Sequence, residues 1–227
     1  MDNPFLPSKG MYFDGAAAHA VFSMVALDTS NEGYADPPVA NGPVFGVIQD
    51  TVVSGTAKHA SVQYLGETFI IASEAMSIGD WFNCEGTDGH AKVAKDAYTT
   101  VLGGGDDDLT FTANQYGDSG ITIEYVDPAA NSQSLAVTVN GKHISVSLAT
   151  DGGGSITSTA ALIKTAIEAH AIASLLVTVT VPGTSTGVVA AITPKALTGG
   201  QNPVGQVLEA STADGDIIRG LLRPFAA

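Results

Sequence analysis

The chain has 227 residues, with 9 basic and 23 acidic side chains and a formal net charge of −14. Hydrophobic residues make up 44% of it and charged ones 14%, which is too apolar for a disordered acidic chain and too acidic to grip nucleic acid through its phosphates. The N-terminus lacks a basic segment ahead of an apolar run, and no run reaches the ~18 apolar residues that span a bilayer, so neither secretion nor membrane insertion is expected. The single cysteine, Cys84, excludes an intramolecular disulfide and a cysteine metal framework.

Residues 1–43 carry Pro4, Pro7, Pro37, Pro38 and Pro43 and read as an extended arm with one strand at 20–27. Phe5, Leu6, Met11, Tyr12 and Phe13 in this arm need burial somewhere. Strands are expected at 44–49, 57–64, 68–73, 81–84 and 91–94, punctuated by Ser54-Gly55, by 77–80 and by a turn-rich link at 85–89. A short repeat crosses the chain: Pro-Val-Phe-Gly-Val-Ile-Gln at 43–49 aligns with Pro-Val-Gly-Gln-Val-Leu-Glu at 203–209 and puts Gly55 opposite Gly215. Two hairpins of one plan would account for it.

The clearest boundary is Gly103-Gly104-Gly105-Asp106-Asp107-Asp108, read as a hinge followed by a solvated, self-repelling linker. Residues 198–203 close the segment. Between these marks, 109–113, 121–126, 135–139 and 143–148 alternate with period two, as half-buried strands do, and Asn140-Gly141 predicts a two-residue hairpin. The period then changes over 158–170, where Ala160, Ile163 and Ile167 share one helical face. Ser158 is the expected N-cap, and Lys164 and Glu168 are spaced to pair. Strands are expected again at 175–181 and 188–192. The pattern is an α+β module at 103–202 inserted into a mainly β domain formed by 1–102 and 203–227, where 204–208 and 217–222 supply the last strands.

No motif carries a reaction. His19, His59, His90, His143 and His170 never approach metal-ligand spacing. Asp106 to Asp108 lack the alternating ligands of a calcium loop, and Gly152-Gly153-Gly154 precedes a helix without the lysine of a phosphate loop and reads as a flexible turn. Asp14, Asp80, Asp214 and Asp216 each adjoin glycine and read as turn residues. Cys84 reads as a small buried hydrophobe. No enzyme activity, cofactor or metal is expected.

The outer segments resemble a family of small bacteriophage capsid decoration (cement) proteins. The resemblance rests on Gly46-Val47-Ile48-Gln49, on 72–80 ending Ile78-Gly79-Asp80, on Gly89-His90-Ala91-Lys92-Val93-Ala94 and above all on 204–222, where Gly-Gln-Val-Leu-Glu-Ala leads through a turn into Gly-Asp-Ile-Ile-Arg-Gly-Leu-Leu. The middle segment resembles a module of phage virion proteins through 109–113, Val126-Asp127-Pro128, 146–150, 156–160 and Leu197-Thr198-Gly199-Gly200. Together these cover about 43–223, and the first forty residues resemble nothing recognised. The resemblance implies a small β-barrel or β-sandwich-like domain, a homotrimer, seated on the major capsid protein at the outer surface of a virion made in a bacterial cytoplasm.

The expected contact with the capsid or a neighbouring subunit is the arm, through Phe5, Leu6, Tyr12 and Phe13, because extended apolar arms add to sheets. The competing expectation is that these residues cover their own subunit. The inserted module is expected to project as a knob. Other readings make that module an adhesin for a host-surface glycan, or the whole chain a tail or head-fibre component.

Overall fold

The computed structural model of the protein describes residues 8–13, 18–28, 30, 34–40, 42–86, 88–102, 106–181 and 184–223. The fold is mainly β and divides into two compact units, one formed by Met1–Ala94 with Gly200–Ala227 and the other by Lys95–Gly199. The first contains β1 (Ser8–Phe13), β2 (Met24–Leu27), β3 (Ala35–Asp36), β4 (Gly46–Ile48), β5 (Lys58–Gln63), β6 (Gly66–Ile71), β7 (Trp81–Cys84) and β8 (Ala91–Val93). The inserted unit contributes β9 (Ala97–Thr99), β10 (Thr110–Ala113), β11 (Thr122–Val126), β12 (Ala136–Asn140), β13 (His143–Ser147), α1 (Ala160–Ala169), α2 (Ala173–Leu176), β14 (Val177–Thr180) and β15 (Ile192–Ala196). The chain then returns to the first unit with β16 (Gly205–Val207) and β17 (Ile217–Leu222).

The first unit holds two five-stranded antiparallel sheets, ordered β1-β5-β4-β2-β3 and β6-β17-β16-β7-β8. Taken strand by strand, these are the same sheet written twice, the second copy carrying the insertion between its third and fourth strands. Loop hydrogen bonds repeat with it. Phe22 N–H donates to Ile48 O at 2.8 Å, and Gly79 N–H to Val207 O at 2.9 Å. Phe45 N–H donates to Val25 O and Val204 N–H to Phe82 O, both at 2.8 Å. The reciprocal bridge between His19 and Val52 reappears between Met76 and Ser211. Counterparts lie 57 positions apart around the second strand and 159 apart at the fourth, the excess coming from the inserted unit.

Alternation gives each sheet an inner and an outer face. In the first copy Met11, Phe13, Val25, Ile48, Ala60 and Val62 face inward and form one core. In the second copy Ile70, Phe82, Cys84, Val207, Ile218 and Leu222 do the same, and Met24 and Val47 from the outer face of the first sheet join them. Each such buried Val, Ile, Leu or Phe contributes about 1.5–3 kcal/mol. One departure separates the copies: Val47 pairs with Gln63 and its counterpart Gln206 with Leu221, so the link from the fourth strand to the fifth is one residue shorter in the second copy while the pairing is kept.

The inserted unit has its own core, in which Phe111, Ile123, Tyr125, Ile144 and Val146 meet Ala160, Ile163 and Ile167 of α1. Its sheets are ordered β14-β10-β9 and β12-β13-β11-β15, with β11 parallel to β13. The unit begins at Lys95 and not at 103, because β9 pairs with β10 and belongs to this sheet. Residues 103–105, read as the hinge, lie outside the described residues.

Several local expectations shift. The segment 8–13 is a paired strand of the first sheet and not part of a free arm. The α1 cap is Thr159, whose side chain accepts from Leu162 N–H; Ser158 is fully buried and its hydroxyl instead accepts from Ala149 N–H at 2.7 Å. The hairpin of β12 and β13 closes with Asn140 opposite His143, so its two loop residues are Gly141 and Lys142. Only Gly141 has positive φ, +62°, the pattern of a type II′ turn. Residues 175–181 divide into the end of α2 and β14, and the strand expected at 188–192 does not form there, since β15 begins only at Ile192 and runs to Ala196.

Candidate functional site

The structure brings the four arm residues to different fates. Phe5 and Leu6 lie outside the described residues. Phe13 points inward and is 1% exposed, its ring edge-on to the buried His19 at 4.9 Å. It closes its own core and offers nothing to another molecule. Tyr12 points the other way and is half-buried in an aromatic cluster, 4.7 Å from the ring of Tyr34 and 5.0 Å from that of His59. Period-two alternation along β1 explains the split.

The titratable side chains serve the fold. Burial lowers the pKa of His19. His90 Nδ1 lies 3.1 Å from Asp214 Oδ1, and His143 joins Thr122 at 2.8 Å and Glu124 at 3.1 Å across the parallel β11–β13 pair. Hydrogen bonds from Ser145 and then His143 hold the Glu124 carboxyl below its usual range. His170 caps the end of α1, and its Nδ1 accepts from Ala173 N–H at 3.2 Å. Burial pushes the Cys84 thiol up to about 11, and its S–H donates to Gly86 O at 3.0 Å.

The acidic run is not a solvated linker. Asp108 accepts from Leu102 N–H at 2.8 Å, Asp106 from the Thr184 hydroxyl at 3.0 Å, and Asp107 is buried. Nor is 151–155 a loose turn, since Asp151 Oδ1 accepts from Gly153 N–H at 2.8 Å and from Ser155 N–H at 2.9 Å. Backbone donors from Ser155 and Gly153 lower its pKa. Asp80 and Asp216 tie turns as expected: Asp80 accepts from Ser77 N–H, and Asp216 from Thr212 and Ala213 N–H. Asp14 lies outside the described residues, and Asp214 engages His90 instead. Among the described residues no group of three His, Cys, Asp or Glu is arranged to hold a metal ion, and no helix is long and apolar enough to cross a membrane.

What the arrangement offers is surface. The sequence reading missed its main feature, a row on the outer face of each sheet of the first unit. In the first copy Met24, Val47 and Gln63 lie abreast across β2, β4 and β5 and are almost wholly buried, at 0%, 0% and 3% exposure. In the second copy Trp81, Gln206 and Leu221 lie abreast across β7, β16 and β17 and are half-buried. The signal available in the sequence was the fragment of repeat at 43–49 and 203–209, read one residue out of the register that superposes Gly46 on Gly205. No protein-family model, curated protein or solved structure matches the chain.

Proposed function

We propose that this chain is a structural virion protein that coats the outside of a bacteriophage head and stabilises it, acting as a homo-oligomer, a trimer by the resemblance, bound to the major capsid protein. The observation that carries the reading is the architecture of base and insert. A duplicated β unit provides broad sheet faces. The inserted unit has a separate core, and its two ends are clamped side by side, with Ala97 N–H donating to Thr198 O at 2.8 Å and Thr198 N–H to Ala97 O at 3.0 Å. Such clamped ends let a unit be carried by a loop of another fold without disturbing it. The β unit is the part that seats and associates, and the inserted unit is the part left for display.

Within this reading the contact with the capsid includes Tyr12, the one described member of the arm set with its face to solvent, together with Phe5 and Leu6 ahead of it. The test is co-sedimentation with heads assembled from the capsid protein of the same virus but lacking this chain. Saturable binding, with heads surviving a higher temperature once coated, is the expected result. Heads that pellet without the protein at saturating concentration would contradict it. Binding lost on Tyr12→Ala, with the melting temperature unchanged, would place that ring in the contact.

A further inference from the structure

The larger sheet of the inserted unit, ordered β12-β13-β11-β15, ends on β12, which pairs with no second strand among the described residues. The opposite edge, β15, carries Pro194 and Lys195, residues that discourage further pairing. β12 has no such guard: residues 132–140 include no charged side chain, no proline and no glycine. Ladder alternation fixes which of its backbone groups are left over. The two-residue loop makes Asn140 and His143 a hydrogen-bonded pair, and so too Thr138 with Ser145 and Ala136 with Ser147. The N–H and C=O groups of Val137 and Val139 therefore point away from β13, toward the open side. Their side chains pack against the core but stay only partly buried, whereas Val146 and Ile144, opposite them on β13, are 0% exposed. Backbone pairing and core are both unfinished at this edge.

We infer that two copies of the chain join through this edge, β12 of one pairing antiparallel with β12 of the other about a two-fold axis at Thr138. In that register Val137 of each copy faces Val139 of the other, and the pairs exchange every outward N–H and C=O of the two residues. Thr138 faces Thr138 as a non-hydrogen-bonded pair, a favourable cross-strand match. The valine flanks of the two cores meet in the same step. A second copy is the occupant because the segment complements itself. Antiparallel pairing turns the end of one edge that carries Lys142 toward the end of the other where Ser132 N–H meets Asp151 O and β11 runs out into Asp127. The remaining charges around the edge are engaged within the unit. Asp118, on the Lys142 side, accepts from Gly120 N–H at 3.1 Å, and His143 lies 3.1 Å from Glu124. On α1, which touches β12, Lys164 pairs with Glu168. The contact lies in the inserted unit, so it stands or falls apart from capsid binding and from association through the β unit.

Thr138 is exposed, so a charge placed there acts on the contact and spares the fold. Sedimentation equilibrium of the full chain, of Thr138→Lys and of Thr138→Glu tests the pairing, because either substitution sets like charges face to face across the axis. Each variant alone dissociates about fivefold more readily than the wild type, and an equal mixture recovers by pairing Lys with Glu. Leu175→Lys, at an exposed apolar position of the same unit, leaves association unchanged. Cross-linking reads the register directly, since facing non-hydrogen-bonded residues lie about 4.5 Å apart at Cα, within disulfide reach. Oxidised with diamide, Thr138→Cys links two chains, whereas Ala136→Cys, which faces Asn140, does not; the native Cys84 is buried. A monomeric wild type would leave the edge to some other extended chain and overturn the inference. So would single variants that associate as the wild type does, a mixture no tighter than its parts, or equal cross-linking at the two positions, whether or not the chain binds heads.

Discussion

At the scale of single residues, the chemistry is that of side chains committed to structure. Cys84 is sealed in the second core with its thiol pushed up to about 11, so the nucleophilic thiolate is scarce at neutral pH. It will react with a disulfide reagent only as the protein unfolds, at the unfolding rate, and prompt labelling of the native chain would refute its burial. Asp216 accepts from Thr212 and Ala213, and those bonds lower its pKa. A carboxylate with a depressed folded pKa adds stability above its unfolded pKa and loses it as pH falls through the folded value. Asp216→Asn is therefore expected to melt lower than wild type at neutral pH, and the gap to narrow as pH falls below the unfolded carboxyl's value of about 3.9. His19 contributes with the opposite charge. Burial keeps it neutral in the fold, so the unfolded chain takes up the proton first and stability declines as pH drops below about 6.5. Melting curves of His19→Gln across that range should show a flatter slope.

At the scale of elements, matched glycines hold the two sheets' centres. A Cβ at Gly46 would meet Gln63 O and lie 2.8 Å from Val62 Cγ1; at Gly205 it would lie 2.5 Å from Leu221 O and 2.6 Å from the Phe82 ring. Gly205→Ala should cost about 1–3 kcal/mol in chemical denaturation, whereas Gly86→Ala, with open space around it, should cost little. Equal effects would contradict the packing described. Much of this level was legible in the sequence where the pattern was local. The strands Trp81–Cys84 and Ile217–Leu222 and the apolar face of α1 follow directly from periodicity. Short strands escaped: β3 and β9 span two and three residues, too few to show a period, and β1 hid behind the prolines that precede it. The turn at 141–142 and the cap at Thr159 each moved by one residue, because several neighbouring side chains offered similar turn or cap chemistry and tertiary packing chose among them. The duplication was barely visible, since the copies conserve backbone bonds and not side chains: Phe22 at φ 71° stands where the other copy has Gly79 at +94°, and Val25 stands where it has Phe82. The outer row was illegible for the same reason, as Met-Val-Gln and Trp-Gln-Leu share no motif.

At the scale of the whole molecule, each unit has a hydrophobic core of its own among the described residues. Ile163→Ala, which removes a fully buried side chain from the inserted unit alone, should cost that unit about 2–5 kcal/mol. Calorimetry should then show one of two transitions move while the other holds. A single transition shifting as a whole would mean the units unfold together. The charge of −14 sets the conditions for assembly, because copies packed on a shell repel until salt screens them over about 10 Å at 0.1 M. Association should strengthen as salt rises from low ionic strength. The most direct measurement is electron microscopy of virions from the virus encoding this chain, with and without its gene. Regular extra density over the head lattice that vanishes with the gene, from heads that then rupture more readily on heating, is what this account predicts. Heads identical in the two preparations, or density confined to the tail, would contradict it.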